Sequence, residues 1–180
     1  MTLWETIARE AAEESPLWER ALLPRDQREL IPVFSPLANA RFALAVESIY
    51  EGYLLHYGSP RLFAPADADT AVLLGDYLYA HGLVRLAEHG DVAAVTDLAE
   101  LISLCTQLRA EAPGAGTEGA DGFVWAATAV LLGAGNGQLE AARAALRLDG
   151  DATPLERLAA GAVSEELLGR ALHAHRIRVK

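Results

Sequence analysis

Residues Leu37–Tyr57 have the sequence LANARFALAVESIYEGYLLHY, in which apolar side chains recur at spacings of three and four. That spacing places them on one side of an α-helix, which turns once every 3.6 residues. The same period recurs from end to end of the chain, and almost no stretch alternates apolar and polar residues as a strand would. We therefore expect an all-α fold.

Capping residues predict where the other helices begin. Thr2, with Glu5 three residues later, fits a capping box, and Ser15-Pro16 restarts the chain as a second short helix. Asp67 or Asp69 is expected to cap a strongly apolar helix. The later helices are expected over residues 70–88, 91–111, 122–132, 139–148, 154–160 and 165–175.

The length of 180 residues is typical of one domain, and 52% of the residues are hydrophobic against 22% charged, which is typical of a globular protein. Within that domain we expect short helices over residues 1–34, a helical core over 37–148 and further helices over 149–180. The glycine-rich stretch 113–119 predicts a flexible loop.

The chain carries 25 acidic and 15 basic residues, a formal net charge of -10. This field repels nucleic acid and anionic membranes, so we expect neither as a partner. The longest weakly polar stretch, Phe123–Gly135, is shorter than the ~20 apolar residues of a spanning helix, which predicts no membrane span. The single cysteine, Cys105, has no disulfide partner in the chain and no secretory leader is present, so we expect a cytoplasmic protein.

Tests for metal and cofactor chemistry give no site. His81 and His89 lie about two helical turns apart, too far to share one ion, whereas His173 and His175 point to different helix faces. The glycine-rich segment Gly133–Gly137 follows a helix and lacks the lysine of a phosphate-binding loop. We therefore expect no catalytic residue, no metal site and no cofactor.

Three acidic residues stand out because of their surroundings. Glu47 and Glu51 are four residues apart on one predicted helix, and Asp76 lies inside an apolar run. A buried carboxylate is costly unless it is paired or hydrogen-bonded, so these residues predict a buried polar network. An arginine or tyrosine that satisfies them would make their role structural, whereas convergence in a cleft would make them candidates for an enzyme of unrelated chemistry.

Several segments resemble the trans-isoprenyl diphosphate synthases, the polyprenyl synthetase family. Ala45–His56 is similar to the helix that leads into the first aspartate-rich motif of that family, and Ala71–Ala80 is similar to its helix with Gly-Asp followed by an aromatic residue. Leu98–Ile102 and Ala127–Gly135 resemble the next two family helices. The resemblance covers residues 37–148 and implies an isoprenoid-synthase-like fold, a single-domain antiparallel helical bundle.

The sequence departs from that family where the family binds magnesium. Tyr57–Arg61 stands in place of Asp-Asp-x-x-Asp, and Leu146–Asp151 lies near the second aspartate-rich motif without matching it. Family members use those carboxylates to hold Mg²⁺ against a diphosphate. The resemblance therefore implies a catalytically inactive protein that acts by association, as a homodimer or as a non-catalytic partner of an active synthase.

A second hypothesis is that the bundle interior binds a hydrophobic small molecule. Five tyrosines are expected to line or plug that interior, namely Tyr50, Tyr53, Tyr57, Tyr77 and Tyr79. The residues expected around such a pocket or vestigial site are Glu47, Glu51, Tyr57, Arg61, Asp76 and Tyr79. The third hypothesis is the unrelated enzyme that uses Glu47, Glu51 and Asp76.

Overall fold

The computed structural model describes residues 2–110, 119–135 and 137–179, and over those residues the protein is all-α, as expected, without a β-strand. Three short 3-10 turns, Arg25–Gln27, Ser35–Leu37 and Ala40–Phe42, lie between the second and third α-helices. The α-helices are α1 Leu3–Glu14, α2 Pro16–Ala21, α3 Ala43–Tyr57, α4 Ala68–Glu88, α5 Val92–Ala110, α6 Ala120–Leu131, α7 Gln138–Asp149, α8 Thr153–Ala162 and α9 Glu165–Arg176. The predicted loop 113–119 lies outside the described residues except for Gly119.

The predicted caps are confirmed by the hydrogen bonds at the helix starts. Thr2 and Glu5 form a capping box, in which each side chain accepts a hydrogen bond from the other residue's backbone N–H. Ser15 caps α2. Asp67, not Asp69, caps α4, where its carboxylate accepts a hydrogen bond of 2.7 Å from a backbone N–H.

The long central helix begins later than the sequence predicts. It was expected to begin at Leu37, but α3 begins at Ala43 and two 3-10 turns precede it. The side chain of Asn39 accepts a hydrogen bond of 3.1 Å from the backbone N–H of Arg41. Asparagine side chains compete in this way with helical hydrogen bonds. This explains why the apolar sequence pattern begins at Leu37 although the α-helix begins only at Ala43.

Helix α3 is the centre of the fold, because all eleven residues from Ala45 to Leu55 are buried. Its aromatic side chains pack against α6, where Trp125 lies edge-on to Tyr50 with ring centroids 5.0 Å apart. Phe34 stacks on Trp125 at 5.4 Å and also lies edge-on to Tyr50 at 5.2 Å. Tyr53 also lies against Trp125, with ring centroids 5.6 Å apart. The interior between α3 and α6 is therefore filled by aromatic side chains, among them Tyr50 and Tyr53 of the predicted tyrosine set.

Glycines set the distance between α3 and α4. A Cβ atom on Gly52 would lie 2.8 Å from the carbonyl oxygen of Gly75, and one on Gly82 would lie 2.6 Å from the side chain of Ile49. Only a residue without a side chain fits at such distances. The close approach buries the inner side of α4, including Leu74 and Leu78, against the core.

None of the helices within residues 2–110, 119–135 and 137–179 combines the length and the apolar composition that a bilayer crossing requires.

Adding a single methyl group at two helical glycines is expected to change stability in opposite directions. Gly52→Ala forces a Cβ against backbone and should lower the free energy of unfolding by about 1–3 kcal/mol. Gly161→Ala in α8, where a Cβ meets nothing within 4 Å, should raise it by about 0.5–1 kcal/mol. Urea unfolding of both variants measures the difference, and equal effects would contradict the close approach of α3 and α4.

Candidate functional site

Two carboxylates of α3 meet one arginine beneath the surface. Arg61 donates through Nη1 to Glu47 Oε2 at 2.7 Å and through Nε to Glu51 Oε2 at 3.0 Å. All three side chains have no exposed surface. Glu47 and Glu51 face the same side of the helix because they are one turn apart. We call these three residues the Arg61 cluster.

The other oxygen of each carboxylate accepts hydrogen bonds from backbone. Glu47 Oε1 accepts from the N–H groups of Val33 and Ser35 at 3.0 and 3.1 Å. Glu51 Oε1 accepts two bonds of 2.7 Å from the backbone of residues 61 and 62. Every oxygen of the two carboxylates therefore has a donor, and two irregular segments are fastened to α3 by these bonds.

The guanidinium group of Arg61 lies between two aromatic rings. Its central carbon is 4.7 Å from the ring of Trp4 and 4.9 Å from that of Tyr50. Burial by itself would lower the pKa of Arg61, but the charges and hydrogen bonds of the two carboxylates outweigh burial and raise it. The arginine is therefore fixed in its charged form, and the cluster is a satisfied ion-pair network.

The remaining predicted site residues lie apart from the Arg61 cluster. Asp76 was expected in a buried network, but its side chain is 64% exposed, 3.2 Å from the imidazole Nε2 of His56. Tyr79 packs against the His56 ring at 5.2 Å, and Tyr57 lies beside the Tyr53 ring at 5.1 Å. Burial lowers the pKa of His56, although the charge of Asp76 opposes that effect.

The prediction that Asp76 is buried was wrong because parts of the apolar run around it are exposed. Its run contains Val72 and Leu73, which are themselves exposed, so an apolar run was taken for a buried one. Of the six predicted residues, three converge in the Arg61 cluster, whereas Asp76, Tyr57 and Tyr79 do not join it.

A second buried cluster was not predicted from the sequence. Asp121 Oδ2 accepts hydrogen bonds from Tyr53 at 2.5 Å and from Arg109 at 2.5 Å, and it lies 3.0 Å from His175 Nε2. On the other side of that imidazole, Nδ1 lies 3.1 Å from the hydroxyl of Tyr50. We call these five residues the Asp121 cluster. It joins α3, α5, α6 and α9.

The charge of Asp121 is stabilised by its neighbours. Burial alone would raise the pKa of this carboxyl, but the hydrogen bonds and charges of His175, Tyr53 and Arg109 outweigh burial and hold the pKa well below its ordinary value. The first turn of α6 also favours a negative charge at this position. Burial raises the pKa of both tyrosines, Tyr50 and Tyr53, so both stay protonated, and Tyr53 donates to Asp121.

One sequence signal could have revealed the Asp121 cluster. Asp121 is the only charged residue of α6, whose sequence is ADGFVWAATAVL. A single carboxylate in so apolar a helix predicts a buried partner, by the same argument that was applied to Asp76. The partners could not be named, because Tyr53 and His175 are more than a hundred residues apart in the chain.

Comparison with protein-family models, with curated proteins and with solved structures gives no match for this chain.

Removing the arginine of the Arg61 cluster is expected to be strongly destabilising. Arg61→Met leaves Glu47 and Glu51 buried with no cation and should lower the free energy of unfolding by about 3–5 kcal/mol. Arg170→Met breaks an exposed pair with Glu166 and should change stability by at most about 0.5 kcal/mol. Urea unfolding tests both variants, and a small loss for Arg61→Met would mean that the cluster is not a structural network.

The lowered pKa of Asp121 gives stability a defined dependence on pH. Because the folded pKa lies below the ordinary value of 3.8, the ionised carboxylate stabilises the fold above that value, and this contribution is lost as the pH falls. Wild type should exceed Asp121→Asn in stability at about pH 6, and the difference should shrink towards about pH 2. Thermal unfolding across this range measures it, and a difference independent of pH would contradict the assignment.

Proposed function

We propose that this chain is a catalytically inactive, isoprenyl-synthase-like helical protein that acts by association, and that its partner is a second copy docked on the outward face of α4. The carrying observation is an exposed apolar surface on a helix whose other side is buried in the core. We define the α4 face as Val72, Leu73, Asp76, Ala80 and Val84, all of them exposed.

The inactive half of the proposal is supported by the Arg61 cluster. Substrate diphosphate and its metal ions require carboxylate oxygens that are free to bind them. The oxygens of Glu47 and Glu51 instead accept hydrogen bonds from Arg61 and from backbone N–H groups. Arg61 itself lies where the resemblance would place the last aspartate of the first metal-binding motif, and it carries the opposite charge.

The synthase-like arrangement is supported by the order of contacts between α3 and α4. Gly82 lies against Ile49, whereas Gly75 lies against His56, so residue numbers fall along α4 as they rise along α3. Neighbouring helices that run in opposite directions are the pairing from which an antiparallel bundle is built.

The association half is supported by the exposed apolar residues of α4. Val72, Leu73 and Val84 are 48%, 55% and 52% exposed, and Ala80 lies exposed between them. The helix has 21 residues, so it is about 31 Å long at 1.5 Å per residue. The neighbouring helix α5 begins with Val92, which is also exposed. Exposed apolar residues grouped on one side of a helix are typical of a surface that contacts another protein.

The spacing of the face favours a second copy of the same chain. Val72, Asp76, Ala80 and Val84 recur every four residues and form one ridge of the helix. A two-fold axis through the middle of that ridge would bring each Val72 opposite the Val84 of the partner subunit. Asp76 is the only charged member of the face. In this arrangement it would lie opposite the small side chain at position 80 of the second copy, and it would stay next to His56 of its own chain.

The net charge of the chain makes a prediction about salt. Two copies that each carry a charge of -10 repel each other, whereas the apolar contact does not weaken when ions are added. The dimer should therefore become tighter as the salt concentration rises. Sedimentation velocity over a salt series measures this, and dissociation at high salt would contradict an apolar interface.

The role of the α4 face is tested by introducing charge into it. Val84→Glu should convert a dimer into a monomer that stays folded, because the side chain is exposed in the free chain. Leu148→Glu on α7 is the matched control, since Leu148 is exposed and lies outside the face, and it should leave the dimer intact. A monomeric wild type, or equal effects of both variants, would overturn the proposal.

Catalytic inactivity has its own test. Wild-type protein incubated with Mg²⁺, farnesyl diphosphate and isopentenyl diphosphate should leave both diphosphates unchanged. Chain elongation, or magnesium binding tighter than about 1 mM, would contradict an inactive protein. If wild type is monomeric alone but forms a complex with an active synthase, the partner is that synthase and not a second copy.

The two other hypotheses have weaker support. Tyr50, Tyr53 and Trp125 fill the interior that would receive a hydrophobic molecule. For an unrelated enzyme, Glu47 and Glu51 converge on Arg61 without an exposed surface, and Asp76 does not join them.

A further inference from the structure

A surface cleft of about 670 Å³ lies between α6 and α9, next to the Asp121 cluster. Its volume falls in the range of small-molecule sites, about 300–1,000 Å³. The cleft is separate from both the Arg61 cluster and the α4 face, neither of which contributes a residue to it. We call it the α6–α9 cleft.

One part of the cleft wall is apolar. Phe123 of α6, Leu172 of α9 and Val179 beyond it line the cleft, and each is half-buried. Gly122 allows α9 to approach, since a Cβ atom there would lie 3.2 Å from Leu172 and 3.3 Å from His175. These side chains offer a groove for the apolar body of a ligand.

The other part of the wall carries basic side chains. His173 and Arg176 are three residues apart on α9, which places them on the same side of the helix, and both are exposed. Arg109 lies deeper, where it donates to Asp121 and to Tyr53. Among the described residues that line the cleft, Asp121 is the one carboxylate, and its own donors already hold it. Basic side chains are therefore grouped here, in a chain whose net charge is -10.

We propose that the α6–α9 cleft binds a small amphipathic carboxylate, an apolar chain with one carboxylate head. The apolar body packs against Phe123, Leu172 and Val179, and the head pairs with Arg176 and His173 at the rim. A guanidinium group matches a carboxylate in a two-point hydrogen bond. A single charge fits best, because Arg109 is shared with Asp121 and leaves one guanidinium group for the head.

Gly169 provides a way to fill the cleft without disturbing the fold. It lines the cleft, and a Cβ atom there would meet nothing within 4 Å. A larger side chain at this position extends into the space that the ligand would use. Gly161 in α8 is the matched control, because it is also an exposed helical glycine with open space around its Cβ position, and it does not line the cleft.

The experiment is calorimetric titration of the full chain with decanoate, below the concentration at which decanoate forms micelles. Wild type and Gly161→Phe should bind equally, whereas Gly169→Phe should weaken binding by about tenfold or more because the cleft is filled. Arg176→Gln should weaken decanoate binding to a similar extent, and decanol, which lacks the charge, should bind wild type more weakly than decanoate does.

Several outcomes would overturn the proposal. Equal binding to wild type and Gly169→Phe would place the ligand elsewhere, and equal binding of decanol and decanoate would show that the head is not recognised. Tighter binding of decyl phosphate than of decanoate would replace the carboxylate by a phosphate as the head. Circular dichroism of each variant checks folding, and Arg176→Gln, an exposed substitution, keeps the test valid if Gly169→Phe does not fold. Absence of decanoate binding by wild type also contradicts the proposal.

Discussion

The buried ion pairs of Arg61 are the constraint on which the rest of this structure depends. Three charged groups without exposed surface would be unfavourable unless each had a partner, and here each has one. The same contacts fasten two irregular segments to α3, the helix that is buried on every side. The two carboxylates that the sequence marks as chemically interesting are thus used to hold the chain together.

Because aromatic side chains fill the interior, we expect contacts with other molecules to lie on the surface. Aromatic side chains occupy the space between α3 and α6, and a second ionic cluster around Asp121 links four helices. The contacts that we propose with other molecules lie on the surface, at the α4 face and in the α6–α9 cleft. Because the two proposed contacts use different helices, we expect substitutions in one to leave the other unchanged.

Local features of the fold were predictable from the sequence because local interactions determine them. Capping at Thr2 and Ser15 depends on residues within one turn, and it was predicted correctly. The start of α3 was predicted too early. The apolar period begins before residue 43, but the side chain of Asn39 forms a turn there that competes with helical hydrogen bonds. The overall arrangement of helices as a synthase-like bundle stays a prediction.

The candidate sites were predictable only in part because burial depends on tertiary packing. The four-residue spacing of Glu47 and Glu51 correctly indicated a shared side, and an arginine was the expected kind of partner. Asp76 lies in an equally apolar run but on the outward side of its helix, and no pattern in the run itself distinguishes the two sides. Asp121 was missed although its helix is more apolar still. Whether such a carboxylate is buried depends on partners far away in the chain, and a single sequence does not identify them.

The most direct measurement is the free energy of unfolding of the triple variant Glu47→Gln, Glu51→Gln, Arg61→Met beside that of Arg61→Met alone. If charge compensation is what the cluster supplies, the triple variant regains most of the stability lost by the single variant, because no unpaired charge remains buried. A triple variant as unstable as the single one would contradict this account of the Arg61 cluster.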